Sequence, residues 1–276
     1  MEGAGSVLKP VVRSKRVDRI LKKREPKLEE NTKKALIMRG NSTSQTIVNV
    51  LTDLKQLTMP NSVLMSKKNE IFPFEDANSL EFLSTKNDCS LFAMGSHTKK
   101  RPNNLILGRT YDGHILDMFE FGVDSFDSLR SFSGSKKGVG SKPLMVFLGD
   151  QWDVDSTFGK IMNLLLDFFR ADRLDKIALK GIDHVLSCTV ADSKIFIRAY
   201  SIGFQKSGSR VPDVSLDGMG PFLDLSLRRT QMASEDLWKT ACKQHRYVIC
   251  LRIFKLARKL YYILYPPNIF ILLLLV

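Results

Sequence analysis

KALIMRGNSTSQTIVNVLTDLKQL, residues 34–57, decides the fold class. Its first part, KALIMRG, is an apolar run of strand length that ends in glycine, and it reads as a buried strand. Asn41, Ser42, Thr43 and Ser44 follow, residue types whose side-chain oxygens cap helix N-termini. Ile47, Val50, Leu51, Leu54 and Leu57 then recur at helical spacing, which predicts an amphipathic helix of about four turns.

The same unit returns in the second half of the chain. KPLMVFLGD, residues 142–150, is again a lysine, an apolar run, a glycine and an Asx-type residue. Ser156 is placed to cap a second helix whose buried face carries Ile161, Leu164, Leu165, Phe168 and Phe169. Two strand–turn–helix units predict an α/β protein with an internal duplication. The division falls in SFSGSKKGVGS, residues 131–141, a Gly/Ser/Lys loop. Further strands are expected over residues 90–94, 115–121, 184–190, 194–200 and 221–227. In the last, Leu223, Leu225 and Leu227 alternate with Asp224 and Ser226, as a half-buried strand requires. Ala191, Asp192 and Ser193 have hairpin spacing. Crossover helices plus hairpins make each half a mixed sheet with flanking helices.

Composition narrows the partners. Apolar residues are 43% and charged residues 26% of 276, which excludes whole-chain disorder. Lys and Arg number 42 against 29 Asp and Glu, a net charge of +13 that favours nucleic acid or an anionic membrane surface. The excess sits at the ends. Residues 1–30 hold nine Lys/Arg against five acids, and from residue 237 onward there are seven basic residues and no acid. Lys15 and Arg16, then Lys22, Lys23 and Arg24, read as a nuclear import signal that also touches phosphates, or as a solvated helix ending before Pro26. No apolar stretch near Met1 suggests secretion, and Cys89, Cys188, Cys242 and Cys250 read as reduced thiols of an intracellular protein. Residues 260–276, LYYILYPPNIFILLLLV, carry no charge but are short for a membrane span and are broken by Pro266 and Pro267.

Catalytic patterns are missing. The glycines between Gly134 and Lys142 lack phosphate-loop spacing. Asp150, Asp153 and Asp155 fit the start of a helix better than a calcium loop. Cys242, His245 and Cys250 give three zinc ligands where a structural site needs four. No enzyme, cofactor or metal is expected. The informative stretch is GSHTKKRPNNLILGRTYDGHILDMFEFGV, residues 95–123. It places Lys99, Lys100, Arg101 and Arg109 before the first acid, Asp112, with a Pro/Asn loop held between strands. A scaffold that fixes where cations point suits phosphate contacts.

Four runs carry a family resemblance: ENTKKALIMRG (30–40), CSLFAMGSHTKKRPNNLILGRTYDGHILDMFEFGV (89–123), KPLMVFLGD (142–150) and SGSRVPDVSLDGMGPFLDLSLRRTQ (207–231). Over about residues 10–240 the chain resembles the Brix family. The resemblance implies a Brix domain over residues 31–235, with halves of about 31–135 and 141–235, each similar to an anticodon-binding domain. Residues 1–30 are then a basic extension and 236–276 a tail. It implies a non-enzymatic assembly factor of the large ribosomal subunit, acting in the nucleolus on the pre-ribosomal particle. Its partners would be 5S rRNA and large-subunit pre-rRNA, the 5S-rRNA-binding ribosomal proteins, and the regulator of ribosome synthesis 1. The matching basic positions are Lys99, Lys100, Arg101 and Arg109, then Arg228 and Arg229, with Lys136 and Lys137 as lesser RNA contacts. After about Arg246 the chain departs from the family's lysine-rich tail. That departure reads first as an altered splice junction. The alternative is a tail-anchored membrane protein with a basic cytosolic domain.

Overall fold

ALIMRG is strand β1 (Ala35–Gly40), and every residue in it but Arg39 is buried. This is seen in a computed structural model of the chain, which describes residues 14–17, 19, 32–134, 137–170, 181–206, 208 and 212–243. Helix α1 (Gln45–Thr58) follows, and Ser44 caps it by accepting from the Ile47 amide at 3.3 Å. Next come β2 (Ser62–Asn69), α2 (Asn78–Asn87), β3 (Leu91–Ser96), β4 (Asn104–Tyr111) and β5 (His114–Asp127). A single 3-10 turn, Leu129–Ser131, precedes the loop expected to divide the halves. Beyond it lie β6 (Leu144–Leu148), α3 (Gln151–Val154), α4 (Ser156–Phe169), β7 (His184–Ala191), β8 (Lys194–Gln205), β9 (Asp213–Met232) and α5 (Glu235–Cys242). All of these fall in one unit, Thr32–Lys243.

The strands form one nine-stranded mixed sheet in the order β2-β1-β3-β4-β5-β9-β8-β7-β6. β1 is parallel to β2 and β3, and β6 is parallel to β7, while the remaining pairs are antiparallel. The mixed sheet expected of each half is present, and the two are continuous. Continuity comes from β9, whose 20 residues pair with β5 on one side and β8 on the other. Asp192 and Ser193 take positive φ of 51° and 60° and close the β7–β8 hairpin.

Helix α2 and strand β2 lie beyond the sequence reading. Helix α2 buries only Leu80 and Ser84, so its apolar spacing is weak. β2 is an edge strand with half-exposed Val63 and Leu64 and no clean alternation. One cap differs as well. Ser156 starts α4, but Asp155 accepts from the Thr157 amide at 2.7 Å and is the N-cap. Among the described residues no helix is long and apolar enough to cross a membrane. The apolar tail, Cys250, His245 and Lys136 lie outside the described residues.

One face of the sheet and helices α1, α3 and α4 share a single core. It joins Ile37, Leu107 and Phe121 of the first half to Ile161, Leu186 and Leu225 of the second. A second core, with Leu36, Phe92, Ile106 and Met118, lies under α2 on the opposite face. Cys89 and Cys188 are buried free thiols, and burial pushes them up to about 11 and about 12, so both stay protonated at neutral pH. Helix α1 reaches the sheet because β3 offers Gly95. A Cβ there would stand 2.3 Å from Ile47 Cγ2 and 2.9 Å from Leu51 Cδ1. Overpacking of this kind forces the helix off its strand. Gly95→Ala is therefore expected to lower unfolding free energy by about 1–3 kcal/mol in urea titration. An unchanged midpoint would show that α1 does not pack at that distance.

Candidate nucleic-acid interface

The loop from β3 to β4 is pinned at both ends. The His97 amide donates to Ser42 O at 2.9 Å, and the Asn103 amide donates to His97 Nδ1 at 3.1 Å. Ser44 Oγ donates to Asn103 Oδ1 at 2.7 Å, so the residue that caps α1 also holds the loop. Between these anchors, Thr98 and Arg101 exchange two backbone hydrogen bonds of 3.1 and 3.2 Å. The turn leaves Lys99 and Lys100 at its tip, both exposed.

Arg101 leads back to a buried acid. Its Nη1 lies 3.3 Å from Glu120 Oε1, and Glu120 has 0% exposure. Glu120 also accepts from Asn104 Nδ2 at 2.7 Å and from Arg229 through Nε and Nη2, the latter at 3.1 Å. Arg229 pairs with Glu120 in the β5–β9 ladder, and Leu227 pairs with Phe121, so Arg228 is the extra residue of a bulge. The bulge breaks the alternation of a strand and sends two consecutive arginines to one face. Arg228 donates to Asn104 Oδ1 at 3.1 Å and to Pro102 O at 2.9 Å. It lies across Gly122, where a Cβ would come within 2.5 Å of Arg228 Nη2. The Arg229 guanidinium also covers the Phe74 ring at 4.1 Å.

Thus the structure brings together five of the cations singled out in the sequence: Lys99, Lys100, Arg101, Arg228 and Arg229. The remaining ones among the described residues are elsewhere. Arg109 points into the core face and is only 6% exposed. Its Nε lies 3.0 Å from Asp117 Oδ1, and its Nη1 reaches Asn163 Oδ1 at 2.6 Å and Asp167 Oδ2 at 2.7 Å on α4. Burial disfavours its charge, but Asp117 and then Asp167 outweigh burial and raise its pKa. Arg109 ties the second-half helix to the first-half strands, and its donors face acids instead of solvent. Lys137 donates to Leu57 O at 2.7 Å, near the C-terminus of α1, and burial lowers its pKa against the attraction of Asp183. Lys15 and Arg16 are helical and exposed, whereas Lys22, Lys23 and Arg24 lie outside the described residues, as does Lys136.

Sequence reasoning passed over Glu120, Asn104, Phe74 and Gly122. A signal for the first was present. Glu120 stands between two phenylalanines as Phe119-Glu120-Phe121, and a charge buried among such neighbours must be paired.

Comparison with known proteins places the chain in context. The Brix domain model matches residues 40–229. The ribosome production factor 2 homolog of Mus musculus is 48% identical over 243 residues, covering 88% of this chain and 79% of that protein. The homolog of Schizosaccharomyces pombe is 40% identical over 238 residues, covering 83% of this chain and 75% of that protein. Among solved structures, a probable ribosomal biogenesis protein from Aeropyrum pernix K1 has 13% identity and a TM-score of 0.46. It covers 73% of this chain and 99% of its own.

The Arg109 cluster has a measurable signature. Arg109→Ala leaves Asp117 buried without its cation, which is expected to cost about 3–5 kcal/mol at neutral pH. Burial would raise Asp167, but Lys33 and Arg109 hold its carboxyl below the ordinary 3.8. Its contribution is therefore complete above that ordinary value and is lost as pH falls through the lower folded value. Urea unfolding at neutral pH and at about pH 3 should show wild type losing more stability across the interval than the variant. A variant as stable as wild type would contradict the clamp.

Proposed function

The chain belongs to the Brix domain family and has a role in ribosome biogenesis, and on that premise we propose that it is an rRNA-binding assembly factor of the large subunit. It performs no chemistry on its RNA. In this reading it helps bring 5S rRNA with its ribosomal proteins into the pre-ribosomal particle and supports pre-rRNA processing. It acts in the nucleolus beside the regulator of ribosome synthesis 1, with Lys15 and Arg16 as part of its import signal.

The observation that carries the reading is a concentration of charge. Arg101 and Arg229 both bond one acid, Glu120, which has no exposed surface; Arg228 bonds Asn104 and Pro102 beside it, and Lys99 and Lys100 stand exposed at the tip of the same loop. The pinned loop fixes the backbone that carries the lysines, and bonds within the fold hold the arginines before any ligand arrives, so less ordering entropy is lost on binding. Arginine suits bidentate phosphate contact, and lysine serves as a point charge. Folded RNA hides its base edges in a deep major groove, so recognition is mainly of backbone and shape. Arg109 takes no part, because its donors are engaged inside the fold.

Binding of the full chain to 5S rRNA is expected to weaken steeply as salt rises, because neutralised phosphates release counterions. Replacing Lys99 and Lys100 with alanine should lower affinity and make the log–log salt slope shallower by about 1.5. Unchanged affinity and slope would remove this loop from the RNA interface.

A further inference from the structure

Arg229 is held in a way that a phosphate contact alone does not require. Both its Nε and its Nη2 are committed to Glu120, and its Cζ lies over the Phe74 ring, 4.1 Å from the centroid. The guanidinium is therefore held by two bonds and a ring contact, yet 37% of the side chain stays exposed. Phe74 lies against the planar group on one side, and the exposed remainder of the side chain is what a ligand can reach. Arg101, 41% exposed, shares the same carboxylate and flanks it. Arg228 anchors the adjoining backbone through Pro102, next to the lysine tip.

We propose that the Phe74–Arg229 stack is a platform for one unpaired base of a single-stranded RNA segment, with Lys99 and Lys100 holding the neighbouring phosphates. Unstacked bases of loops and bulges lie on guanidinium planes as readily as on aromatic rings. A guanidinium already backed by a ring and a carboxylate keeps its orientation when a base arrives. An RNA duplex has no base to offer, so the platform gives the site a preference for single strands. This inference rests on the RNA-binding reading above.

The experiment compares two probes on the full chain: a single-stranded RNA of about twelve nucleotides, one OB-fold-sized site, and the same sequence as a blunt duplex. Arg229→Lys keeps the charge and removes the plane. Its affinity for the single strand should fall about tenfold, with duplex affinity within about twofold and the salt slope unchanged. Phe74→Leu keeps every charge and removes the backing ring. It should give a smaller loss that is again confined to the single strand, and it carries the test if the Arg229 variant does not fold. Equal losses on both probes would mean that Arg229 meets backbone, and that would overturn the platform while leaving RNA binding intact. Wild-type affinity in both variants would overturn it too. Failure of the wild-type chain to bind either probe at low salt would instead bring down the RNA-binding reading, and the platform with it.

Discussion

A carboxylate without solvent cannot remain charged unless cations and donors surround it. Glu120 meets that condition with Arg101, Arg229 and Asn104. The requirement works in both directions. The acid holds two arginines in fixed geometry, and the arginines are the reason an acid can sit between Phe119 and Phe121 in a strand with a buried face. Their outer surfaces remain in water, so the cluster is buried on its negative side and exposed on its positive side. A folding constraint thereby becomes a cationic surface.

The same constraint joins the halves. Glu120 belongs to β5 and Arg229 to β9, the two strands through which the sheet is continuous. On the opposite face, Arg109 of β4 reaches Asn163 and Asp167 of α4. Asp53 of α1 accepts from Ser128 Oγ and the Leu129 amide, both at 2.9 Å, and so fixes the 3-10 turn that leaves β5. Polar contacts with sharp geometry thus sit at the joints, and a shared apolar core lies between them. Apolar packing supplies most of the stability and tolerates small slides, while directional charged bonds set the register.

Strong periodicity made most of the fold legible. KALIMRG and the Ile47–Leu57 spacing gave β1 and α1 nearly to the residue, because a strand in the interior and a helix with one apolar stripe write their environment into sequence. Helix α2 and edge strand β2 bury few side chains and leave little pattern. The site was legible as charge but not as geometry. Composition marks Arg109 and Arg229 alike as basic residues near strands. What separates them is the side of the sheet each faces, set by alternation along β4 and by a bulge in β9 that no local motif announces. Glu120 was the residue to ask about, since an acid among phenylalanines implies a partner distant in sequence.

Glu120→Gln gives the most direct test of the view that this acid organises the RNA surface. Removing a negative charge beside a polyanion should tighten binding if net charge alone governs affinity. If Glu120 orients Arg101 and Arg229, the loss of charge-assisted bonds should loosen them and weaken binding of 5S rRNA by about fivefold at low salt. Weaker binding by the folded variant is the result this account predicts. Binding as tight as wild type, or tighter, would contradict it.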